Sequence, residues 1–295
     1  METVLRTFRL DLAYDGTAFV GSQCQPESRT VQGTLERAVS EVSGQTVRVA
    51  LAGRTDRGVH ALGQVGSLDL VWAHSAPVLA RALQAVTPAD LVVRGAREVS
   101  SGFHARFDAV QREYRYRIWN APMPPVLIRN WVWWVRRSLD EERMSRAAGA
   151  LLGTLDYASF AGDGVGVPGV LVDTVRTVST ATWRRMPQAI ERDAAARMLE
   201  FRIAADGFLP HMVRNLVGTL TQIGFGRLDP SSMADLLAAR DRRLAPEPAP
   251  SAGLALWRVR YRNDEPGIAV DTDVDGCLGV EGYEDLFAKG TRDPA

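Results

Sequence analysis

The sequence predicts an α+β fold of two tandem ferredoxin-like halves, each running β-α-β-β-α-β. Three features carry that expectation. Apolar and polar residues alternate in short runs bounded by turn residues, as half-buried strands require. Between these runs, apolar residues recur at helical spacing. The order strand, helix, strand, strand, helix, strand then occurs twice along the chain. The expected geometry is two sheets in tandem with a groove where they meet, and 295 residues leave room for both cores.

The first half opens with RTFRLDLAYDG, a strand ending on a turn. Val31, Leu35, Ala38, Val39 and Val42 mark one helix face, and Gly44 closes that helix. VRVALAG and Gln64–Leu70 are strands flanking the decamer AGRTDRGVHA (52–61). Val78, Leu79, Ala82, Leu83 and Val86 follow Pro77 as a second helix, and LVVRGAREV is the fourth strand. In the second half VQREYRYRIWN is a strand and WVWWV a short apolar addition. The run from Ser138 to Glu141 reads as a capping box opening a helix that buries Met144, Ala147, Ala148 and Leu151. TVRTVSTATW and MLEFRIAAD are strands, and Phe208–Gly224 and Ser231–Arg240 are helices. LALWRVRY closes the order, while the Gly-rich segment 155–171 reads as a loop. The expected units are 1–108, 109–262 and an acidic tail over 263–295.

The formal net charge is zero, but it is unevenly placed. Residues 263–295 hold nine acidic and two basic side chains; removing these from the 35 of each sign leaves a body of net charge +7. All cations but Lys289 are arginine, the residue best suited to phosphates and bases. The N-terminus lacks a signal-peptide pattern, and no apolar run is long enough to span a membrane. Cys24 and Cys277 make no disulfide framework, so a cytoplasmic location is expected.

Within AGRTDRGVHA, residue types alone leave two readings of Asp56 open. It is either the acceptor of an Asx-turn or helix cap, or a carboxylate kept ionised by Arg54 and Arg57 for use as a nucleophile or base. His60, His74, His104 and His211 have no metal-ligand spacing, and no metal site is expected from them. DTDVDG (271–276) opens like a calcium loop, but Gly282 stands where a bidentate glutamate is needed. FHARFDAVQREYRYR interleaves arginines with aromatics, as base stacking and phosphate pairing require. The same pattern also fits a tyrosine core face backed by a solvated arginine face. Arg214, in GFLPHMVRNLVG, is either a solvated helix residue or the partner of a buried carboxylate.

AYDGTAFVGSQ, TVQGTLERAV, AGRTDRGVHALGQV, the SGFHARFDA and REYRYRIWN segments, FLPHMVRNLVGTL and APSAGLALWRVRY together resemble the TruA-type tRNA pseudouridine synthases over residues 7–262. The resemblance implies a pseudouridine-synthase-type core with a basic cleft, and a homodimer. It also implies isomerisation of uridines in the tRNA anticodon stem-loop, usually positions 38, 39 and 40, without a cofactor. By the same resemblance Asp56 is the catalytic carboxylate and Arg214 its charge partner. Tyr114 packs on the target uracil, Arg54 fills or holds the flipped state, and Leu254 forms an apolar wall; His60 and Arg57 join the substrate-binding set. Whether Asp56 attacks C1′ or takes a proton from C2′ stays open. Two residues depart from the family pattern: Arg57 stands where alanine is usual, and Ser22 where tryptophan is usual. A catalytically silent RNA-binding protein and a hydrolase using Asp56 are the alternatives; the second would need another acid or a metal set that no motif supplies.

Overall fold

The computed structural model describes residues 4–162, 173–187 and 196–262. The acidic segment 263–295, with DTDVDG and Cys277, lies outside the described residues, as does most of the Gly-rich segment. The first half runs β1 (Leu5–Tyr14), α1 (Val31–Ser43), β2 (Ala50–Leu51), β3 (His60–Val71), α2 (Ala76–Val86) and β4 (Leu91–Val99). The second runs β5 (Ala109–Asn120), β6 (Trp133–Val135), α3 (Glu141–Gly149), β7 (Gly153–Asp156), β8 (Val175–Met186), β9 (Arg197–Ala205), α4 (Met212–Gly224), α5 (Ser232–Ala239) and β10 (Leu254–Tyr261). The strand and helix order read from the sequence is therefore present in both halves.

The sheets differ from expectation. All the strands belong to one ten-stranded sheet, ordered β4-β1-β3-β10-β5-β9-β8-β7, with β2 beside β3 and β6 beside β5. Apart from the added β6 and β7, each half keeps the same internal arrangement of its four strands: β4-β1-β3 with β2 outside, and β10-β5-β9 with β8 outside. The seam is the parallel pairing of β3 with β10, where His60 and Ala61 face Ala255 and Leu256. Gly63 lets the seam close, because a Cβ there would lie 2.2 Å from the Trp257 carbonyl oxygen. One buried apolar cluster runs through both halves, from Phe8 and Leu35 to Phe201 and Leu216. A groove between separate sheets is thus replaced by a continuous sheet with a shared core.

Local chemistry accounts for several boundaries. Thr30 caps α1 by accepting the Gly33 N–H, and Gly44 ends it at φ 69. The α3 cap is Asp140, which accepts the Arg143 N–H at 3.0 Å, rather than Ser138. Ser138 Oγ instead accepts from Arg197 at 2.7 Å. VRVALAG yields only the two-residue β2, and α4 begins at Met212, after a turn over the preceding residues. Gly153–Asp156, which overlaps the expected loop, pairs with β8 as an edge strand.

Strand β5 settles the tyrosine–arginine pattern. Tyr114, Tyr116 and Ile118 are buried in the main core, while Glu113, Arg115 and Arg117 point to the other face. That face is not freely solvated. Arg115, Arg117 and Arg184 converge on Glu200, which is fully buried, and Arg115 and Arg202 pair with Glu113. The guanidiniums of Arg115 and Arg117 also lie over the Trp257 ring, at 4.0 and 5.1 Å from its centroid. Arg115 and Arg117 of this motif are therefore committed to internal ion pairs.

Candidate active site

The loop between β2 and β3 is held from several sides. Gln64, fully buried, takes the place of a strand partner for Gly53, accepting its N–H at 3.2 Å and donating to its carbonyl at 2.8 Å. Gln64 also donates to the Tyr14 hydroxyl, which is 2.8 Å from Thr55 Oγ1. Burial pushes the Tyr14 hydroxyl up to about 12, against the opposing hydrogen bonds of Thr55 and Gln64, so it stays protonated in this network. Ser22 secures the next peptide: its Oγ accepts the Thr55 N–H at 2.8 Å, and its N–H donates to the Thr55 carbonyl at 3.0 Å. The serine that departs from the family pattern is thus part of the support of this loop. Arg112 donates to the carbonyls of Ala52, Ala109 and Asp206, joining the loop to the second half. Burial pushes its pKa down and the Arg106 charge adds to that, outweighing the opposing influence of Tyr261, Tyr114 and Asp206.

The loop ends in a tight turn. The Val59 N–H donates to the Asp56 carbonyl at 3.1 Å, and Gly58 sits at φ 77, the conformation a type II turn needs at its third position. Among the described residues the Asp56 side chain caps no local N–H. It reaches the second half instead: Oδ2 is 3.4 Å from Arg214 Nη1 and 3.4 Å from His211 Nε2. Asp56 thus meets Arg214 and His211 across the molecule rather than a neighbouring backbone N–H. Both side chains lie at the start of α4, whose dipole adds to the field favouring a carboxylate. Arg214 is aimed by its own backbone neighbour, donating from Nε to the Ala249 carbonyl at 2.8 Å while the Ala249 N–H returns to the Arg214 carbonyl at 2.9 Å. Gly218 permits that segment to lie against α4, since a Cβ would meet the Glu247 carbonyl oxygen at 2.1 Å.

A cavity of about 340 Å³ opens at this point, lined by Arg54, Asp56, Arg57, His211 and Arg214 together with Gly21–Gln23 and Gln25. Its size suits a nucleotide-sized group. One carboxylate stands among three guanidiniums and an imidazole, so the cavity favours an anionic ligand. Arg54 and Arg57 are exposed, and neither makes an ion pair among the described residues.

The other residues expected at the site are placed differently. Tyr114 lies beneath the loop: its hydroxyl donates to the Arg54 carbonyl at 3.4 Å and its ring meets Phe208 edge-on at 5.0 Å. Burial raises its pKa. Leu254 faces Tyr116 across the β10–β5 ladder, on the sheet face that carries Tyr114 and Leu256 beneath Gly53. His60 is in the seam: Nδ1 accepts the Gly16 N–H at 3.0 Å, and Nε2 donates to the carbonyls of Asn130 and Ala252 at 2.9 and 3.2 Å. None of these three lines the cavity. His211 is the residue that sequence reasoning passed over. The signal was its spacing, three before Arg214, which puts both on one helix face. Among the described residues no group of three or more His, Cys, Asp or Glu side chains is arranged to hold a metal ion, and no helix is long and apolar enough to cross a membrane.

A carboxylate held beside a guanidinium and an imidazole at the junction of two α+β halves, in a basic cavity, defines an enzyme site suited to a polyanionic substrate. Comparison with known proteins makes the class specific. The family model of tRNA pseudouridine synthases matches residues 12–108 and 147–262, and the chain belongs to that family. It is 44% identical over 254 residues to the tRNA pseudouridine synthase A of Geobacillus kaustophilus, covering 86% of this chain and 93% of that one. It is 43% identical to the protein of that name from Chloroflexus aurantiacus, over 87% of this chain and 89% of that one. For the Roseiflexus castenholzii counterpart the identity is 42%, over 94% and 97%.

Proposed function

We propose that this chain isomerises uridine to pseudouridine in tRNA, within the anticodon stem-loop at positions 38 to 40, with Asp56 as the catalytic carboxylate. The observation that carries the assignment is the Asp56–Arg214 contact in the basic cavity, within a chain of this family. The chemistry exchanges the N1–C1′ bond for a C5–C1′ bond and moves a proton from C5 to solvent while N1 gains one. No electrons leave, so the reaction calls for no redox cofactor. Asp56 acts either by attack on C1′ or by removal of a C2′ proton, and each route uses one carboxylate oxygen close to the sugar. The cavity keeps the freed uracil beside C1′ while it turns. The target base must first leave its stack, at a cost of about a few kcal/mol. Tyr114, Arg54 and Leu254 are proposed to receive it, Tyr114 and Leu254 from beneath the loop. His60 supports the seam against which they pack.

The same reading takes the two halves, 1–108 and 109–262, as ferredoxin-like units around a basic cleft, in a cytoplasmic homodimer. The repeated strand order supports the first of these. The test is purified protein with unmodified tRNA tritiated at C5 of uridine, without added metal. Tritium release with the base retained on the RNA is expected. Free uracil would assign a hydrolase, and no release from any tRNA would leave only a binding protein.

Arg57 gives a separate prediction. Its exposed guanidinium beside Asp56 is free to meet a phosphate. Arg57→Ala is expected to weaken tRNA binding and to lower the slope of log affinity against log salt by about one. Filter binding over a salt series reads this directly; an unchanged slope would remove Arg57 from the phosphate contacts.

A further inference from the structure

His211 stands at the start of α4 with φ 58 and ψ −2, in the left-handed region, and its side chain makes no cap hydrogen bond. Glycine adopts that conformation freely, and among other residues asparagine, aspartate and histidine enter it most readily, at a cost that a non-glycine residue still bears. Gly162 packs against the ring: a Cβ there would lie 2.8 Å from Nδ1 and 3.0 Å from Cγ. The opposite ring nitrogen, Nε2, is 3.4 Å from Asp56 Oδ2, the same oxygen that Arg214 approaches from the next turn of helix. Oδ1 of Asp56 has no partner among the described residues. Strain held at a functional site commonly marks a side chain kept for what it contacts.

We propose that His211 is a positioning residue for Asp56: together with Arg214 it clamps Oδ2, fixes the rotation of the carboxylate, and leaves Oδ1 as the oxygen presented to the sugar. Arg214 donates to Oδ2 and the imidazole Nε2 lies 3.4 Å from the same oxygen, so the carboxylate is bounded on two sides where a single guanidinium would leave it free to turn. The groups facing the imidazole are Asp56 from the loop, Arg214 from α4 itself, and the backbone of Gly162 and Pro210 behind it. The role rests on the synthase reading for its consequence, but the contact itself does not.

The test separates the two. His211→Gly suits φ 58 and leaves a ring-shaped space, so the fold is retained while the clamp is lost. Single-turnover tritium release at saturating tRNA is expected to fall about 10²-fold, the scale of a small misplacement at a reacting centre. The tRNA Kd is expected to stay within about twofold, and added imidazole to restore much of the rate. His211→Gln, which keeps an N–H able to reach Oδ2, is expected to lie between wild type and His211→Gly. A wild-type rate in His211→Gly, a loss that appears in Kd, or a rate that imidazole leaves unchanged would each overturn the proposal. The second arm needs no activity. The chain has four histidines, and the Nε2 resonance of His211, assigned by its loss in the glycine variant, is expected to move in Asp56→Asn while that of His60 stays. A His211 signal indifferent to Asp56 overturns the clamp whatever the enzyme does. A wild-type protein without tritium release, with the resonance still linked to Asp56, removes the synthase reading and keeps the contact.

Discussion

Asp56→Asn lowers tritium release from C5-labelled tRNA by ~10⁴-fold or more, while tRNA binding stays the same or tightens. The size follows from the role. An amide of the same shape neither attacks C1′ nor accepts a C2′ proton, so the step loses the whole contribution of the carboxylate. A loss of 10⁴ corresponds to about 5.4 kcal/mol of barrier, the upper range for a single acid–base group. The variant folds, because the Asp56–Arg214 pair is partly open to solvent and such pairs contribute only ~0–1 kcal/mol. Binding is spared for an electrostatic reason. Removing the one carboxylate from a cavity lined by Arg54, Arg57, Arg214 and His211 makes it more attractive to RNA phosphates. Stopped release with intact filter binding is therefore the expected pair of results. Residual release within about tenfold of wild type would assign the chemistry to another group. Lost binding would make Asp56 a structural residue.

The elements were legible where period and punctuation agreed. Alternation in RTFRLDLAY and in REYRYRI marks β1 and β5, and Gly44 and Pro77 stand where α1 ends and α2 begins. Registration between distant segments was not legible, since it depends on pairs far apart in the chain. The β3–β10 seam joins His60 to Ala255, and nothing in either strand's own alternation announces the other. A two-residue ladder and the close approach allowed by Gly63 decide between two sheets and one. The site divides in the same way. The contact of Asp56 with Arg214 was legible because their motifs are distinctive together. His211 was not, because its importance lies in a strained backbone and a contact across the molecule. Gln64, Ser22 and Arg112 were equally silent, as their work is to satisfy the backbone groups of a loop, which any polar side chain of the right reach can do. For Arg115 and Arg117 sequence reading left RNA contact and a solvated face open, since it could not see the carboxylates opposite them.

Those carboxylates carry the largest expected stability effect. Glu200 lies on β9 with its side chain wholly buried, and its Oε1 accepts from Arg184 at 2.8 Å and Arg115 at 3.4 Å while Oε2 accepts from Arg117 at 2.9 Å. Burial alone would raise its pKa; Arg117, Arg115 and Arg184 overcome that and hold it below the usual glutamate value. Glu200→Gln keeps the shape but leaves three guanidiniums facing a neutral group, with Glu113 alone to balance Arg115 and Arg202. Breaking a buried pair from one side costs about 3–5 kcal/mol, a large part of the ~5–15 kcal/mol that holds a domain folded. The figure is the cost of taking the carboxylate away from Arg115 and Arg117. Replacing the whole network by apolar residues is a different experiment, with an outcome that can be near neutral. The pH dependence fixes the cause. With a folded pKa below the unfolded one, the unfolded chain binds the extra proton between the two values, so the contribution of Glu200 is complete above the ordinary glutamate range. It is lost as pH falls through the folded value. Urea midpoints of wild type and Glu200→Gln should therefore lie furthest apart at neutral pH and draw together below about pH 4.5, the unshifted glutamate value. Other carboxylates with lowered pKa, such as Asp15, leave an acid slope in both proteins, which the difference removes. A gap that does not narrow in acid would show that Glu200 stabilises by shape rather than by charge, and a gap under about 1 kcal/mol would show that the arginines find other partners.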